Sequence, residues 1–357
     1  MRFFLLLMLG ICACGVMAAS LPEFPVNAVW SRDISTAPLN PNSTSMINAT
    51  GSWGNGNKFQ IDQSMQVMHV SAASEAGVTM ASVVTSPWGY TSPDCEPLQG
   101  LKFPLPAGGA IEGSTNYSCD SNTSDCHLLV VMDGSKKLYE SYGSNVNDAG
   151  QLESMCVVIW DLTKVYPPQG RGEQCTSVDA AGLPISSLLF NADEVYAASQ
   201  IPDGTIGHAI RFILPNPSMA ADVYVHPASH AGGPSGNANK IPYGSRLRLK
   251  ASFDVDGFTS NTAARVILRT MQKYGIVLSD GGNIALTAET DRFTTHKWSE
   301  FGFDENDVYL EQMLVGVQLS DFEVIETGPQ IPLTYDCGSN GNSLTPNDFI
   351  FIDPFDY

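Results

Sequence analysis

The strongest fold signal in the chain is the stretch RLRLKASFD at residues 246–254, in which polar and apolar residues alternate. Successive side chains of a β-strand point to opposite faces, so this alternation predicts a strand with one apolar and one polar face. The polar face carries Arg246, Arg248 and Lys250, in a chain with 18 Lys and Arg against 37 Asp and Glu. Three cations in a row on so acidic a protein indicate a binding surface.

Two more strands are predicted just before this stretch, at residues 207–214 and 222–230. They carry Arg211 and Tyr224, and they also hold three of the six histidines of the chain, His208, His226 and His230. Cations, histidines and a tyrosine are therefore concentrated in one region, which we predict to be the floor of a functional site.

Short apolar runs bounded by glycine, proline and asparagine recur along the rest of the chain. The run at residues 128–132 is apolar on both faces, which predicts a strand buried on both sides, with residues 138–142 as its hairpin partner. Residues 262–274 have a clear helical period, and a second helix is expected over residues 304–315. This pattern predicts a mainly β, single-domain protein of the β-sandwich or jelly-roll type with one amphipathic helix.

The N-terminus has the features of a signal peptide over residues 1–18. Arg2 precedes an apolar stretch that is too short for a membrane span, and small residues follow it. We expect an extended arm over residues 19–60, the β domain over residues 61–330 and a tail packed on that domain over residues 331–357. The protein is therefore predicted to be secreted.

Cysteines and sequons agree with export. Six cysteines follow the predicted signal peptide, and an even number in an exported chain predicts disulfide bonds. They are Cys95, Cys119, Cys126, Cys156, Cys175 and Cys337. Only Cys119 and Cys126, which flank a polar turn, are predicted as a particular pair. Four sequons predict glycosylated surface loops if the host glycosylates, at Asn42, Asn48, Asn116 and Asn122.

The formal net charge of −19 limits the classes of partner. Nucleic acids and anionic membranes attract basic surfaces, so neither is expected to bind this protein. No apolar run after the predicted signal peptide is long enough to span a membrane. The sequence leaves the oligomeric state open.

Several segments together resemble a known family. They are WSRDIS at residues 30–35, SVDAAGLP at 177–184, GHAIRF at 207–212, YGSRLRLKASFD at 243–254 and KYGIVLSD at 273–280. Their combination resembles a widespread family of secreted proteins of soil bacteria and fungi, with the pattern HAxRF, YGxRLRLKASFD and YGxxxxD. The resemblance implies an exported, mainly β domain; it implies no established activity and transfers no functional residues.

The favoured function is carbohydrate chemistry in the extracellular space. An acid–base mechanism on an acidic polysaccharide needs proton-transfer groups, for which we predict His208, His230 and Tyr224. Cations would neutralise the carboxylates of such a substrate, and we assign that role to Arg211, Arg246, Arg248 and Lys250. The protein is thus predicted to cleave or bind an acidic polysaccharide, as a lyase or a glycoside hydrolase if it is an enzyme. The cations could instead form a solvated face paired with acidic residues.

Other functions stay open. A glycoside hydrolase needs two carboxylates, with candidates Glu140, Asp161, Asp179, Asp193 and Glu194. A zinc or copper site could use His127, His208 and His230, but no ligand spacing supports it, so no cofactor is predicted and a divalent metal stays an alternative. The protein could also be a non-catalytic acidic matrix or glycan-binding protein.

Overall fold

Strands dominate the part of the chain that the computed structural model describes, which comprises residues 21, 23–86, 94–303 and 313–338. The strands are β1 (Ile61–Met65), β2 (Val67–Val70), β3 (Thr79–Thr85), β4 (Lys102–Leu105), β5 (Leu128–Met132), β6 (Lys137–Tyr142), β7 (Asn145–Val146), β8 (Leu152–Ser154), β9 (Cys156–Asp161), β10 (Ile210–Leu214), β11 (Met219–Tyr224), β12 (Ile241–Tyr243), β13 (Arg246–Leu249), β14 (Ile276–Gly281), β15 (Leu286–Glu289), β16 (Phe322–Val324) and β17 (Ile331–Pro332). The α-helices are α1 (Ser43–Thr50), α2 (Gly54–Asn57), α3 (Ala192–Ser199), α4 (Val255–Phe258) and α5 (Thr262–Lys273). Short 3₁₀ helices lie at Val29–Ser31, Glu75–Gly77, Ser186–Leu188, Asn216–Ser218, Trp298–Phe301 and Leu319–Asp321.

The largest sheet has six strands in the order β1-β15-β10-β14-β13-β16. Strands β10 and β14 pair in parallel, so their carboxyl ends lie side by side. Helix α5 packs against β13, as its apolar stripe predicts. Its first turn is capped by Asn261, whose side chain accepts a hydrogen bond from the Ala264 amide at 3.0 Å. The predicted long helix is confirmed.

Two four-stranded sheets, β2-β5-β6-β9 and β4-β3-β8-β7, enclose a smaller core. Alternate residues of β5 belong to different cores: Leu128 and Val130 to the smaller, Leu129 and Val131 to the larger. The larger core also contains Phe212 of β10, so the sheet containing β5 has apolar contacts on both sides. The prediction of a doubly buried strand with β6 as its antiparallel partner is confirmed.

The chain is mainly β, as predicted, but a β-sandwich or jelly roll is not confirmed. Jelly rolls are built from antiparallel strands. Here β1 with β15, β2 with β5, β3 with β8, β10 with β14 and β11 with β12 are parallel pairs. Parallel neighbours need long crossover connections, which single-sequence alternation does not reveal.

Residues 246–254, which gave the strongest fold signal in the sequence, are only partly a strand. Strand β13 ends at Leu249, and the following residues turn instead of extending to Asp254. The reason lies on α5: the Gln272 side-chain amide donates to the carbonyls of Lys250 and Phe253, both at 3.1 Å. Asp254 then caps α4 by accepting from the Gly257 amide at 3.0 Å.

The predicted N-terminal arm is more structured than expected. It contains α1 and α2, and α1 packs against β16. Phe24, Trp30 and Trp53 belong to the larger core. The predicted signal peptide and most of the predicted helix at residues 304–315 lie outside the described residues. Of the predicted tail, residues 331–338 are described, and β17 pairs with β11.

The six cysteines form three disulfides: Cys95–Cys156, Cys119–Cys126 and Cys175–Cys337. The predicted local pair is therefore confirmed. All four sequon asparagines are exposed, so each could carry a glycan. Within the described ranges, none of the helices combines the length and the apolar character needed to cross a membrane.

Candidate functional site

The predicted cationic row does not form an open groove. Arg246 is buried and donates to the carbonyls of Tyr274, Val29, Trp30 and Arg32, at 2.6–3.2 Å. Its guanidinium holds the N-terminal arm against β13 and β14.

The other two cations of the row are also bound to protein groups. Arg248 forms an ion pair with Glu323 at 2.6 Å and donates to the arm carbonyls of Ile34 and Ala37. Lys250 donates to the Ser320 carbonyl at 2.6 Å. The row therefore fastens neighbouring segments to β13, and the predicted substrate-binding role of its cations has no support in this geometry.

The predicted proton-transfer residues lie in different surroundings. His208 contacts Glu194 of α3, 3.4 Å from Nε2 to Oε1. Tyr224 is buried and donates from its hydroxyl to Glu173, which also binds His226. His230 binds the Ala180 carbonyl through Nδ1 at 2.9 Å. The described hydrogen bonds and ion pairs do not join these three into one constellation.

Arg211, the remaining predicted substrate-binding cation, is the centre of a buried polar cluster. Its Nη2 lies 2.7 Å from Oδ1 of Asp179 and 3.5 Å from Oδ2 of Asp280. Its Nη1 donates to the Thr287 hydroxyl at 2.7 Å. One guanidinium is thus shared by two carboxylates, and we call Asp179, Arg211, Asp280 and the neighbouring Tyr243 the Arg211 cluster.

The fold explains why these residues meet. Arg211 is on β10, Asp280 is near the carboxyl end of the parallel strand β14, and Thr287 is on β15, the other neighbour of β10. Asp179 comes from the loop after β9, which is anchored because the Ala181 amide donates to the Ser279 carbonyl at 2.9 Å.

Unpaired polar atoms are concentrated here. Among the described residues, five buried side-chain nitrogen or oxygen atoms have no hydrogen-bond partner, and three of them belong to the Arg211 cluster. These three are Asp179 Oδ2, Arg211 Nε and the Tyr243 hydroxyl. Buried polar groups are normally hydrogen-bonded, and exceptions call for an explanation such as a functional role.

The cluster reaches solvent at one point. Asp179 is fully buried, whereas 30% of the Asp280 side-chain surface is accessible to solvent. Asp280 is therefore the group of this cluster that a ligand can touch.

Burial controls the ionisation of both carboxylates. Loss of hydration raises the pKa of Asp179 to about 7, although Arg211 opposes the shift, and Asp280 adds to it. Burial also raises the pKa of Asp280, again against Arg211. The positive charge of Arg211 thus lies beside two carboxyl groups, Asp179 and Asp280, whose negative charges repel each other. Ionisation of one therefore disfavours ionisation of the other.

A second ion pair adjoins this cluster. His127, just before β5, binds Glu112 at 2.8 Å through Nδ1 and the Val178 carbonyl at 3.3 Å through Nε2. Both partners accept, so both ring nitrogens carry hydrogen. Burial opposes the charge on His127, but Glu112 outweighs it and raises the pKa of His127 to about 9. His127 is thus a fixed cation in electrostatic contact with Asp280.

The other acidic candidates have structural roles. Glu140 is fully buried and accepts from the amide and hydroxyl of Ser186, both at 2.8 Å. Asp161 pairs with Lys137 at 2.8 Å. Asp193 binds the amides of Thr295 and His296. Glu194 completes the capping box of α3. Over the described part of the chain, no group of three or more His, Cys, Asp or Glu is arranged to hold a metal ion.

Glu289 on β15 gives a prediction of stability against pH. It is 3% exposed, accepts from Asn191 at 2.9 Å, and burial raises its pKa to about 8. The folded state therefore binds this proton more tightly than the unfolded state, and stability is lost as pH rises from about 4.5 through about 8. Glu289→Gln cannot titrate, so its stability relative to the parent should rise by roughly 2–4 kcal/mol from pH 5 to pH 8. Urea unfolding at both pH values measures this change. Glu23→Gln, at an exposed position, should show no such trend, and an equal difference at both pH values would contradict the assignment.

No protein-family model, curated protein or solved structure significantly matches this chain. The resemblance to secreted proteins of soil bacteria and fungi therefore stays a prediction. The site is assigned from its geometry.

Sequence reasoning named some of these residues and missed others. Arg211, Asp179 and His127 were candidates for three different chemistries, while Glu112, Tyr243 and Asp280 were not site candidates. Asp280 had a usable signal, because it follows the apolar run of β14 and precedes Gly281 and Gly282. A carboxylate between a buried strand and a glycine turn is typical of a site at a strand end.

Proposed function

We propose that this protein is a secreted carbohydrate-active enzyme that hydrolyses glycans at the Arg211 cluster. The observation that carries the proposal is the sharing of Arg211 by Asp179 and Asp280, with the side chain of Asp280 30% accessible to solvent. Both carboxylates lie beside the same guanidinium nitrogen, Nη2 of Arg211, which holds Asp179 and Asp280 as neighbours. Three disulfides and four exposed sequons support export.

The residues of the Arg211 cluster have different roles because they differ in solvent exposure. Asp280 faces the substrate and accepts a proton from the water that attacks the anomeric carbon, while the departing glycosidic oxygen takes its proton from solvent. Asp179, with a pKa of about 7, is a buried positioning residue whose protonation sets how much of the Arg211 charge is left for Asp280. His127 adds a second positive charge that favours the ionised form of Asp280.

The charge that the Arg211 cluster presents to solvent favours a neutral glycan over an acidic one. Its accessible group is a carboxylate, and the whole chain carries −19. The cations predicted to hold an acidic polymer, Arg246, Arg248 and Lys250, bind protein carbonyls and Glu323 instead. A polyuronate would meet repulsion at Asp280 that these three cations are not placed to offset.

A glycan-binding protein without catalysis is the second candidate. One observation favours it: Asp179 is 0% exposed, so a single carboxylate of the pair can reach a bound sugar. Binding without turnover would then be the whole activity of the site.

The test is a hydrolysis assay with Asp280→Asn. The purified protein is incubated with soluble β-glucan, xylan, mannan and starch, and with polygalacturonate and alginate, and reducing ends and unsaturated products are both followed. We expect release of reducing ends from a neutral polymer and a fall of about 100-fold or more in the variant, because the reacting carboxylate is lost.

Two controls make the assay decisive. Asp256→Asn alters a 63% exposed aspartate and should keep parental activity. Lys250→Ala should also stay active, since Lys250 binds a carbonyl of its own chain. Full activity of Asp280→Asn would refute the site. Binding without turnover in the parent protein would favour the second candidate.

A further inference from the structure

Tyr335 is an exposed aromatic residue close to the Arg211 cluster. It is 59% exposed, and its φ of 59° lies in the left-handed region that bulky residues rarely adopt. Its segment is fixed on both sides, by the Thr334 amide bound to Gln174 at 2.8 Å and by the Cys175–Cys337 disulfide. The chain thus holds this ring outward at a set position.

Contacts connect Tyr335 to the Arg211 cluster. Its hydroxyl donates to the Gly232 carbonyl at 2.9 Å. Gly232 lies against the Tyr243 hydroxyl, where a Cβ would come within 3.0 Å of the oxygen. That hydroxyl also lies beside Gly281, the residue after Asp280. Tyr335 is therefore joined through Gly232 to Tyr243, a member of the Arg211 cluster.

His230 lies between the ring and the cluster. The ring of Tyr335 meets its imidazole edge-on, with centroids 5.3 Å apart. His230 donates from Nδ1 to the carbonyl of Ala180, the residue after Asp179. Burial lowers the pKa of His230, so the ring is neutral at pH 7 and Nε2 is a hydrogen-bond acceptor.

We propose that Tyr335 and His230 form a sugar subsite on the surface beside the Arg211 cluster, in which a neutral pyranose ring stacks on Tyr335 and donates a hydroxyl to His230 Nε2. The C–H face of a pyranose packs well on an exposed aromatic ring, while its hydroxyls need acceptors of fixed direction. This inference rests on the proposed function, because it places the subsite beside the residue that acts on the glycan. It gives His230 and the tail a role in binding the substrate.

Tyr335 has two separable roles. The hydroxyl holds the ring in place by its hydrogen bond to the Gly232 carbonyl, and the ring binds sugar. Tyr335→Phe removes only this hydrogen bond, whereas Tyr335→Ala removes the stacking surface. Neither change should unfold the protein, since the side chain is exposed and the disulfide two residues away is kept.

The experiment measures glycan affinity in the full-length Asp280→Asn protein, so that binding is read without turnover. Cellohexaose, laminarihexaose, xylohexaose, mannohexaose and maltohexaose are titrated by calorimetry. For the hexaose that binds best, we expect Tyr335→Ala to raise Kd about tenfold or more and His230→Ala to raise it severalfold. Tyr335→Phe should stay within about threefold.

A matched control variant, and comparison of the thermal unfolding of the variants with that of the parent, distinguish loss of the sugar contact from loss of the fold. Tyr196 is 36% exposed and stacks on His296 of another segment, so Tyr196→Ala should bind as the parent does. Parental affinity of Tyr335→Ala, or absence of binding to all five hexaoses, would overturn the subsite. A third outcome separates the two proposals. If Asp280→Asn still hydrolyses glycans while the added Tyr335→Ala change abolishes binding, the subsite is supported and Asp280 is refuted as the catalytic carboxylate.

Discussion

Arg211→Met is expected to lower the free energy of unfolding by about 3–5 kcal/mol at pH 8, because it leaves buried carboxylates without their cation. Asp179 is fully buried and has Arg211 as its side-chain ion-pair partner at 2.7 Å. Methionine keeps much of the side-chain volume but none of the charge. The lost interaction is therefore mainly electrostatic.

The loss should be smaller at pH 5 than at pH 8. The pKa of Asp179 is already raised to about 7 with Arg211 present, and removal of the cation raises it further. At pH 5 the acid is protonated and needs no counter-charge. At pH 8 the variant must either bury a carboxylate or bind a proton from dilute solution. Stability of the variant should thus fall with rising pH over a wider range than that of the parent.

Urea unfolding with intact disulfides at the two pH values measures both effects. Arg269→Met is the matched control, since Arg269 pairs with the exposed Asp203 and Asp256, and its loss should cost less than about 1 kcal/mol. Arg211→Met combined with Asp179→Asn should recover part of the stability at pH 8. No recovery and no pH dependence would show that Asp179 does not depend on Arg211.

Arg246→Met is expected to cost about 3 kcal/mol or more and to release the N-terminal arm, because four backbone carbonyls lose a charged donor. Three of these carbonyls are on the arm, at Val29, Trp30 and Arg32, and the fourth belongs to Tyr274 after α5. Since Arg246 is 2% exposed, water does not easily replace it.

Limited proteolysis distinguishes release of the arm from general loss of stability. Cleavage within residues 23–40 should become faster than cleavage elsewhere in Arg246→Met. Arg246→Lys keeps the charge, but its single ammonium cannot bind all four carbonyls, so its stability should be intermediate. If Arg246→Met resists proteolysis as the parent does, the cation is not what holds the arm.

These two arginines show what the sequence could and could not predict. Alternation at residues 246–249 correctly predicted a strand with Leu247 and Leu249 in the core. It could not show that the opposite face is covered by residues 29–37, which are more than 200 positions away in the chain. A polar face that binds its own backbone has the same one-dimensional pattern as a polar face in solvent.

The Arg211 cluster was hidden for a related reason. Arg211 and Asp280 meet because β10 and β14 are parallel neighbours, and the chain between them forms β11, β12, β13, α4 and α5. Asp179 arrives from a third segment. Local patterns identify strands, helix α5 and the local disulfide, but the pairing of distant strands depends on the packing of the whole core.

The two apolar cores lie on opposite faces of the sheet β2-β5-β6-β9, and β5 contributes side chains to both. Since neighbouring residues of β5 are buried on opposite sides, displacement of that strand would expose both cores at once. Neither core can lose its packing against this sheet while the other core stays intact. Unfolding is therefore expected to be cooperative across residues 61–330, and fragments that separate the two four-stranded sheets from the six-stranded sheet should lack a stable fold of their own.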